Sequence, residues 1–211
     1  MTTFRPVADH AVLVEFASQI SDDAHASVLA LDQALAAAPF PGFCEAIPAF
    51  VNLLVDFDPV VTDHALVEAH LRSLVGASPA ISLPTRHEVA VRYDGQDLAE
   101  VARRTGLSVE GVIAAHMSGD FKVFMYGFAP GYAYLGGLPE ALRLDRKAAP
   151  LRDIPAGSII IAGAQCLITT LTMPTGWWII GHTDTRVLTG DPARPFLFDV
   201  GDRVTFRRGM P

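Results

Sequence analysis

Three polar side chains in the second half of the chain are of types that amide chemistry uses. His116 falls at helical spacing with Val109, Val112 and Ile113, shortly before an apolar run that begins near Phe121. An imidazole titrates near neutral pH, so it can pass a proton or orient a substrate. The same placement suits a core histidine with one ring nitrogen bonded to a backbone carbonyl, and residue type alone leaves both readings open. Gln165 follows an apolar run and a glycine, and its side chain offers an amide substrate both a donor and an acceptor. Arg152 contributes a guanidinium, although an isolated arginine is more often a solvated surface charge. Upstream, the run Tyr126 to Pro139 holds glycines at 127, 131, 136 and 137, prolines at 130 and 139, and tyrosines at 126, 132 and 134. So broken a run is expected to be an ordered loop rather than a regular element. Glycine lets backbone approach a ligand, and tyrosine pairs an apolar body with a polar tip. Phe128, Pro130, Gly131, Tyr132 and Tyr134 are therefore candidate substrate or interface residues. Trp177 joins them from the turn Thr172 to Trp178, where one of the two tryptophans is expected in the core.

Other chemistries are excluded by what is missing. The sequence has no phosphate-binding loop ending in Gly-Lys-Ser/Thr, no Gly-x-Ser-x-Gly elbow and no His-Glu-x-x-His, and its glycines are not at dinucleotide spacing. No metal is therefore expected. The formal net charge of -7 argues against nucleic acid, because phosphate binding needs clustered Lys and Arg. No apolar stretch reaches the length of a membrane span. The N-terminal residues lack a basic segment followed by an apolar run, so a cytoplasmic location is expected. Cys44 and Cys166 fit no metal or redox spacing and are expected to be free, buried thiols.

The elements that must position these groups change texture along the chain. Ala11–Phe16 reads as a strand, and Ser21 caps a helix with Ala24, Val28, Leu31 and Leu35 on one face. Two strands follow, around Phe43–Ile47 and Phe50–Phe57. Thr62 or Asp63 then caps a helix closed by Gly76, whose His64 and His70 are expected to face solvent. This order suits a ferredoxin-like sandwich completed by a further strand. Gly76 to Pro84 reads as a connection. Next come a strand (Glu88–Tyr93), an Asp97/Glu100 capping box before a helix ended by Gly106, and a helix started by Ser108. From Phe121 onward, apolar runs at Lys122–Phe128, Ser158–Ala162, Trp177–Ile180 and Pro195–Phe198 are punctuated by Gly and Pro. Arg203–Arg207 alternates, with Val204 and Phe206 on one side. This pattern predicts a β-barrel or sandwich.

Taken in order, these residues resemble a known family. His116, Gly127-Phe128-x-Pro130-Gly131-Tyr132-x-Tyr134-Leu135 and Gly137-Leu138-Pro139 resemble the B subunit of 5-oxoprolinase, also called KipI or allophanate hydrolase subunit 1. Ile154 to Ser158, Ile161-Ala162-Gly163-x-Gln165, Gly176-Trp177, Ile180-Gly181-x-Thr183 and Gly201-Asp202-x-Val204-x-Phe206 continue the likeness. The resemblance implies an α+β fold: a ferredoxin-like α/β domain over 1–80, then a cyclophilin-like β-barrel over 81–211. It implies a component that is inactive alone. Its implied partners are a C component, similar to allophanate hydrolase subunit 2, and an A component, and together they open 5-oxoproline to glutamate at the expense of ATP. ATP then belongs to the complex, since this chain carries no recognisable nucleotide motif. A carboxyltransferase subunit of the allophanate hydrolase or urea carboxylase type, where biotin enters, is the first alternative. A KipI-like histidine kinase inhibitor without catalysis is the second. On the leading reading His116, Arg152 and Gln165 are the catalytic candidates. The sequence departs from the family where Pro-Arg becomes Pro150-Leu151, with Arg152 displaced by one, and where Gly-Arg-Thr-Pro becomes Gly181-His182-Thr183-Asp184.

Overall fold

The computed structural model describes residues 2–76 and 84–209. The chain divides into two compact units, Met1–Leu83 and Pro84–Pro211. Most of the expected connection from Gly76 to Pro84 lies outside the described residues.

In the first unit, local capping and alternation set the elements. β1 (Thr3–Val7) pairs antiparallel with β2 (Ala11–Glu15). Ser21 accepts the Ala24 N–H at 3.2 Å and opens α1 (Asp22–Ala37). β3 (Phe43–Pro48) and β4 (Asn52–Phe57) follow, and Asp63 accepts from Ala65 and Leu66 to start α2 (His64–Leu74). The sheet runs β1-β2-β4-β3 and is antiparallel throughout. Leu53, Val55 and Phe57 of β4 alternate inward and meet Val12 and Val14 of β2, with Val28, Leu31 and Leu35 of α1 and Val67 and Leu71 of α2 above them. The apolar period of two on the strands thus matches the helical period of the cover.

The sandwich takes its outer strand from the N-terminal end, as β1, instead of after α2. Strand β1 gave little signal because it is largely exposed and contains Pro6, a residue tolerated on edge strands. Two expectations are corrected here. Cys44 is exposed, where the β3–β4 register shifts between Phe43 and Glu45. His64 and His70 do not simply face water. His64 meets the Phe57 ring edge-on at 5.1 Å, and His70 donates its Nε2–H to the Ala38 carbonyl at 2.9 Å.

The second unit is built on β5 (Arg86–Val91), β6 (Phe121–Tyr126), β7 (Ala133–Gly136), β8 (Leu151–Ile154), β9 (Ser158–Ala162), β10 (Gln165–Ile168), β11 (Met173–Thr175), β12 (Trp178–His182) and β13 (Arg203–Arg208). Seven of these form one sheet in the order β12-β9-β10-β7-β6-β13-β5, and β11 and β8 form a separate pair. The sheet curls into a nearly closed barrel: Arg92, just past β5, exchanges two backbone hydrogen bonds of 2.8 Å with His182 of β12. β13 pairs parallel with β5, whereas its contact with β6 is antiparallel. Inward residues Val89, Val91, Phe121, Val123, Leu135, Ile159, Ile161, Ile180, Val204 and Phe206 share one core with the two helices of this unit.

Those helices are α3 (Leu98–Thr105), ended by Gly106 at φ 73°, and α4 (Val109–Met117), capped by Ser108 through the Gly111 N–H at 3.0 Å. The expected Asp97/Glu100 capping box does not form. Asp97 instead binds the Lys147 ammonium and accepts the Ile179 N–H at 2.8 Å, and Glu100 pairs with Arg103 and Arg104. A charged partner plus a backbone donor outweighs one cap bond. Pro195–Phe198 is not a strand; it makes one bridge, Leu188 to Phe196. Both tryptophans are buried, Trp178 in the barrel core and Trp177 in a smaller cluster outside it.

Candidate functional site

The run Tyr126 to Pro139, expected to be a loop without regular elements, starts at the last residue of β6 and includes the whole of β7, the two strands being joined at a tight tip. At that tip the Ala129 N–H donates to the Gly127 carbonyl at 2.9 Å, and Phe128 between them has φ 71°. A three-residue turn with positive φ at a non-glycine centre is strained, and such strain concentrates at functional positions. The turn projects Phe128 outward, leaving it 75% exposed. Gly131 (φ 70°) completes the reversal. A Cβ there would lie 2.8 Å from Leu188 Cδ2, a methyl that can shift, so it is the positive φ that calls for glycine. Thr170 fixes the tip by donating its hydroxyl to the Pro130 carbonyl at 2.7 Å.

Phe128, Tyr132, Tyr134 and Trp177 converge on one cleft of about 270 Å³. Its floor is Ile160 of β9 and Leu167 of β10, a register pair whose neighbours Ile159 and Ile161 point the other way, into the barrel. Pro174, Thr175 and Gly176 form one wall, and Arg146, Lys147 and Pro150 the other. Tyr134 and Trp177 meet edge-to-face at 6.0 Å, and the Arg146 guanidinium sits 5.6 Å from the Trp177 ring centroid. Burial pushes the Tyr132 hydroxyl up to about 12. Burial also raises Tyr134, against the opposing pull of the Arg146 charge. Both phenols therefore stay protonated at neutral pH and can donate or accept hydrogen bonds. Lys147 is held by Asp97, which leaves Arg146 as the cation of this cleft with no carboxylate partner among the described residues.

The three catalytic candidates lie outside this cleft. His116 is fully buried inside the barrel, 4.6 Å from the Phe206 ring centroid and 5.2 Å from that of Phe121. Its Nδ1 shares a hydrogen bond of 2.9 Å with the Tyr93 hydroxyl, and its Nε2 lies 3.4 Å from Cys166 Sγ. Desolvation lowers the imidazole to about 3, so it is neutral at physiological pH. His116 and Arg152 therefore do not join the aromatic residues of the glycine-rich run in this cleft. Arg152 is exposed on β8, and its neighbour Leu151 packs on the cluster of Tyr132, Ile154 and Trp177. A one-residue displacement on a strand exchanges the two faces, which accounts for the outward guanidinium. Gln165 opens β10, paired with Gly136 and Ala162 and half-buried away from the cleft. Pro130 and Gly131 shape the tip without lining the cleft; their contacts reach Thr170 and Leu188, which line a second cleft of about 460 Å³.

Arg146, Lys147, Ile160, Leu167 and Thr175 were not anticipated. The adjacent basic pair 146–147 just before Pro150 was the available signal for the first two. The alternation of β9 and β10 was the signal for the next two.

A helix-covered sandwich followed by a nearly closed seven-stranded barrel with an aromatic cleft on its outside defines an α+β protein. Residues 2–198 match the family described as carboxyltransferase domain, subdomain C and D. The chain is similar to the 5-oxoprolinase B subunit of Bacillus subtilis (strain 168), 33% identical over 224 residues covering 96% of this chain and 90% of that protein. It is also similar to the solved structure of TTHA0988, with TM-score 0.85 and 36% identity. That match covers 95% of this chain but 40% of the other, so the chain spans less than half of that protein. At 15% identity the fold recurs in Kluyveromyces lactis urea carboxylase, with TM-score 0.78, over 99% of this chain and 22% of that one. The chain belongs to the family of 5-oxoprolinase B subunits, which are carboxyltransferase-domain proteins.

Proposed function

We propose that this chain is a non-autonomous B-type component of an ATP-dependent 5-oxoprolinase, opening the lactam together with A-type and C-type partners. The observation that carries the reading is the composition of the cleft. It offers apolar and aromatic walls, two protonated phenols and one guanidinium. It offers no histidine, carboxylate, cysteine or serine among the described lining residues. Such a site can bind and polarise a small amide, because phenol hydrogens stabilise a developing oxyanion and the guanidinium offers a charged hydrogen bond for binding. Burial keeps both phenols protonated at neutral pH, so neither is a ready base for activating water. Nucleotide chemistry and proton transfer therefore come from partner chains, and ATP binds to the complex. No helix among the described residues is long and apolar enough to cross a membrane, in keeping with a cytoplasmic complex.

A second reading, a carboxyltransferase component that works on urea-derived amides, draws support from the matched carboxyltransferase family. Copurification of the tagged chain with its native partners, followed by assay of ATP-dependent glutamate release from 5-oxoproline, separates the two. The proposal expects turnover by the complex and none by the purified chain. Lactam hydrolysis by the chain alone would overturn its dependence on partners. A complex that consumes allophanate and ignores 5-oxoproline would establish the second reading.

A further inference from the structure

We infer that Arg146 is the carboxylate anchor of this cleft, and that the bound molecule is a small, flat amide bearing a carboxylate rather than a neutral amide. The lactam part of this inference rests on the proposed function; the anchor itself rests on geometry. Two cations line the cleft, and they differ in what already holds them. Lys147 is bound to Asp97, and its charge is neutralised at the edge of the core. The Arg146 guanidinium stands over the face of Trp177 and its charge reaches Tyr134, and no acid lines the cleft among the described residues. An anion is the partner this arrangement lacks. A guanidinium lying over an aromatic ring keeps its in-plane N–H fork available for a carboxylate.

Size and wall chemistry narrow the ligand. A cleft of about 270 Å³ is below the volume that drug-sized ligands need. Ile160, Leu167 and Trp177 supply apolar surface for a ring, and the Tyr132 and Tyr134 hydroxyls are the available partners for an amide carbonyl. A five-membered lactam with an adjacent carboxylate satisfies all three features at once. Urea and simple lactams leave the guanidinium unpaired. The displaced Arg152 does not line this cleft, which leaves Arg146 as its guanidinium.

The test uses the Arg146→Met and Arg146→Lys variants in the full chain and in the reconstituted complex. Arg146 is exposed and holds no ion pair among the described residues, so both variants should keep the wild-type urea midpoint. In the complex, Arg146→Met should raise KM for 5-oxoproline by about tenfold to a hundredfold, the size of a lost charged hydrogen bond, with kcat near wild type. Arg146→Lys should recover part of that loss. Calorimetric titration of the full chain should show 5-oxoproline binding that Arg146→Met abolishes. The carboxylate-free analogue 2-pyrrolidinone should bind both proteins equally weakly. An unchanged KM and unchanged 5-oxoproline binding in Arg146→Met would overturn the inference. If the wild-type complex opens no 5-oxoproline, the functional reading fails. The anchor is then decided by the titrations: loss of 5-oxoproline or succinate binding in Arg146→Met upholds it, and equal binding, or none by wild type, refutes it.

Discussion

Replacing His116 by alanine separates a structural histidine from a catalytic one, and the geometry fixes the expected size of the effect. The side chain has no exposed surface, and the rings of Phe206, Phe121 and Tyr93 stand 4.6, 5.2 and 5.8 Å from it. Truncating a buried aromatic ring costs about 3–5 kcal/mol, and imidazole, being smaller, belongs at the lower end. The Tyr93 hydroxyl loses its hydrogen-bond partner at Nδ1, which adds about 1 kcal/mol. Tyr93 borders a cleft, and water can replace part of that bond. The sum, about 3–4 kcal/mol, is a large share of the ~5–15 kcal/mol that holds a typical domain. Trp177 and Trp178, the two tryptophans of the chain, both lie in the barrel unit, so tryptophan fluorescence reports that unit alone. With an m-value of about 1–3 kcal/mol/M, the urea midpoint should fall by roughly 2 M. Activity of the reconstituted complex, measured in the cold where the variant is still folded, should be retained. An unchanged midpoint with abolished activity would refute the structural assignment.

Burial also makes this histidine a source of pH dependence. Its folded value of about 3 lies below the ordinary 6.5, so the unfolded chain binds the extra proton. Its contribution is fully present above pH 6.5 and is lost toward pH 3, at about 1.4 kcal/mol per pH unit. The difference in unfolding free energy between wild type and His116→Leu across that range should carry this slope; parallel curves would contradict it. Gly131→Ala should cost about 1–2 kcal/mol for its left-handed backbone, plus the clash with Leu188. It should also weaken ligand binding by displacing Phe128 and Tyr132; chemical denaturation and titration read the two effects. Asp97→Asn leaves the Lys147 ammonium nearly buried without its counter-charge, and should destabilise by roughly 2–3 kcal/mol, short of the ~3–5 kcal/mol of a fully buried pair. The double variant Asp97→Asn/Lys147→Met should recover part of that loss, and strict additivity would show the pair to be uncoupled.

Where the sequence was legible, single residues carried enough physics by themselves. Ser21, Asp63 and Ser108 cap the helices they precede. The alternation of Val204 and Phe206 marks an inward strand face. The aromatic residues Phe128, Tyr132, Tyr134 and Trp177 do gather in one cleft. Strands β7, β8, β10 and β11 span only three or four residues each, too short for a period of two to stand out. His116 could not be resolved because an apolar helix face is equally the address of a core histidine and of an oriented base. The Arg146-Lys147 pair was a weak signal, because an exposed Arg-Lys pair reads as solvated charge until Trp177 and Asp97 are brought beside it. ATP and the partner chains came from the family resemblance alone, since no residue pattern here implies either.

The parallel pairing of β5 with β13 bears on how the barrel is made during synthesis. Thr85, at the entrance to β5, is hydrogen-bonded to Asp202, 117 residues further along. At ordinary elongation rates that interval lasts on the order of ten seconds, a long wait beside the microsecond closure of a hairpin. Throughout it Val89 and Val91, destined for the core, belong to a strand whose ladder partner has not yet been translated. High contact order of this kind slows folding and prolongs exposure of unpaired edges. The β5 edge therefore stays without its parallel partner until Arg203–Arg208 has been made, and a chain truncated before that strand should be more prone to aggregation than the full one.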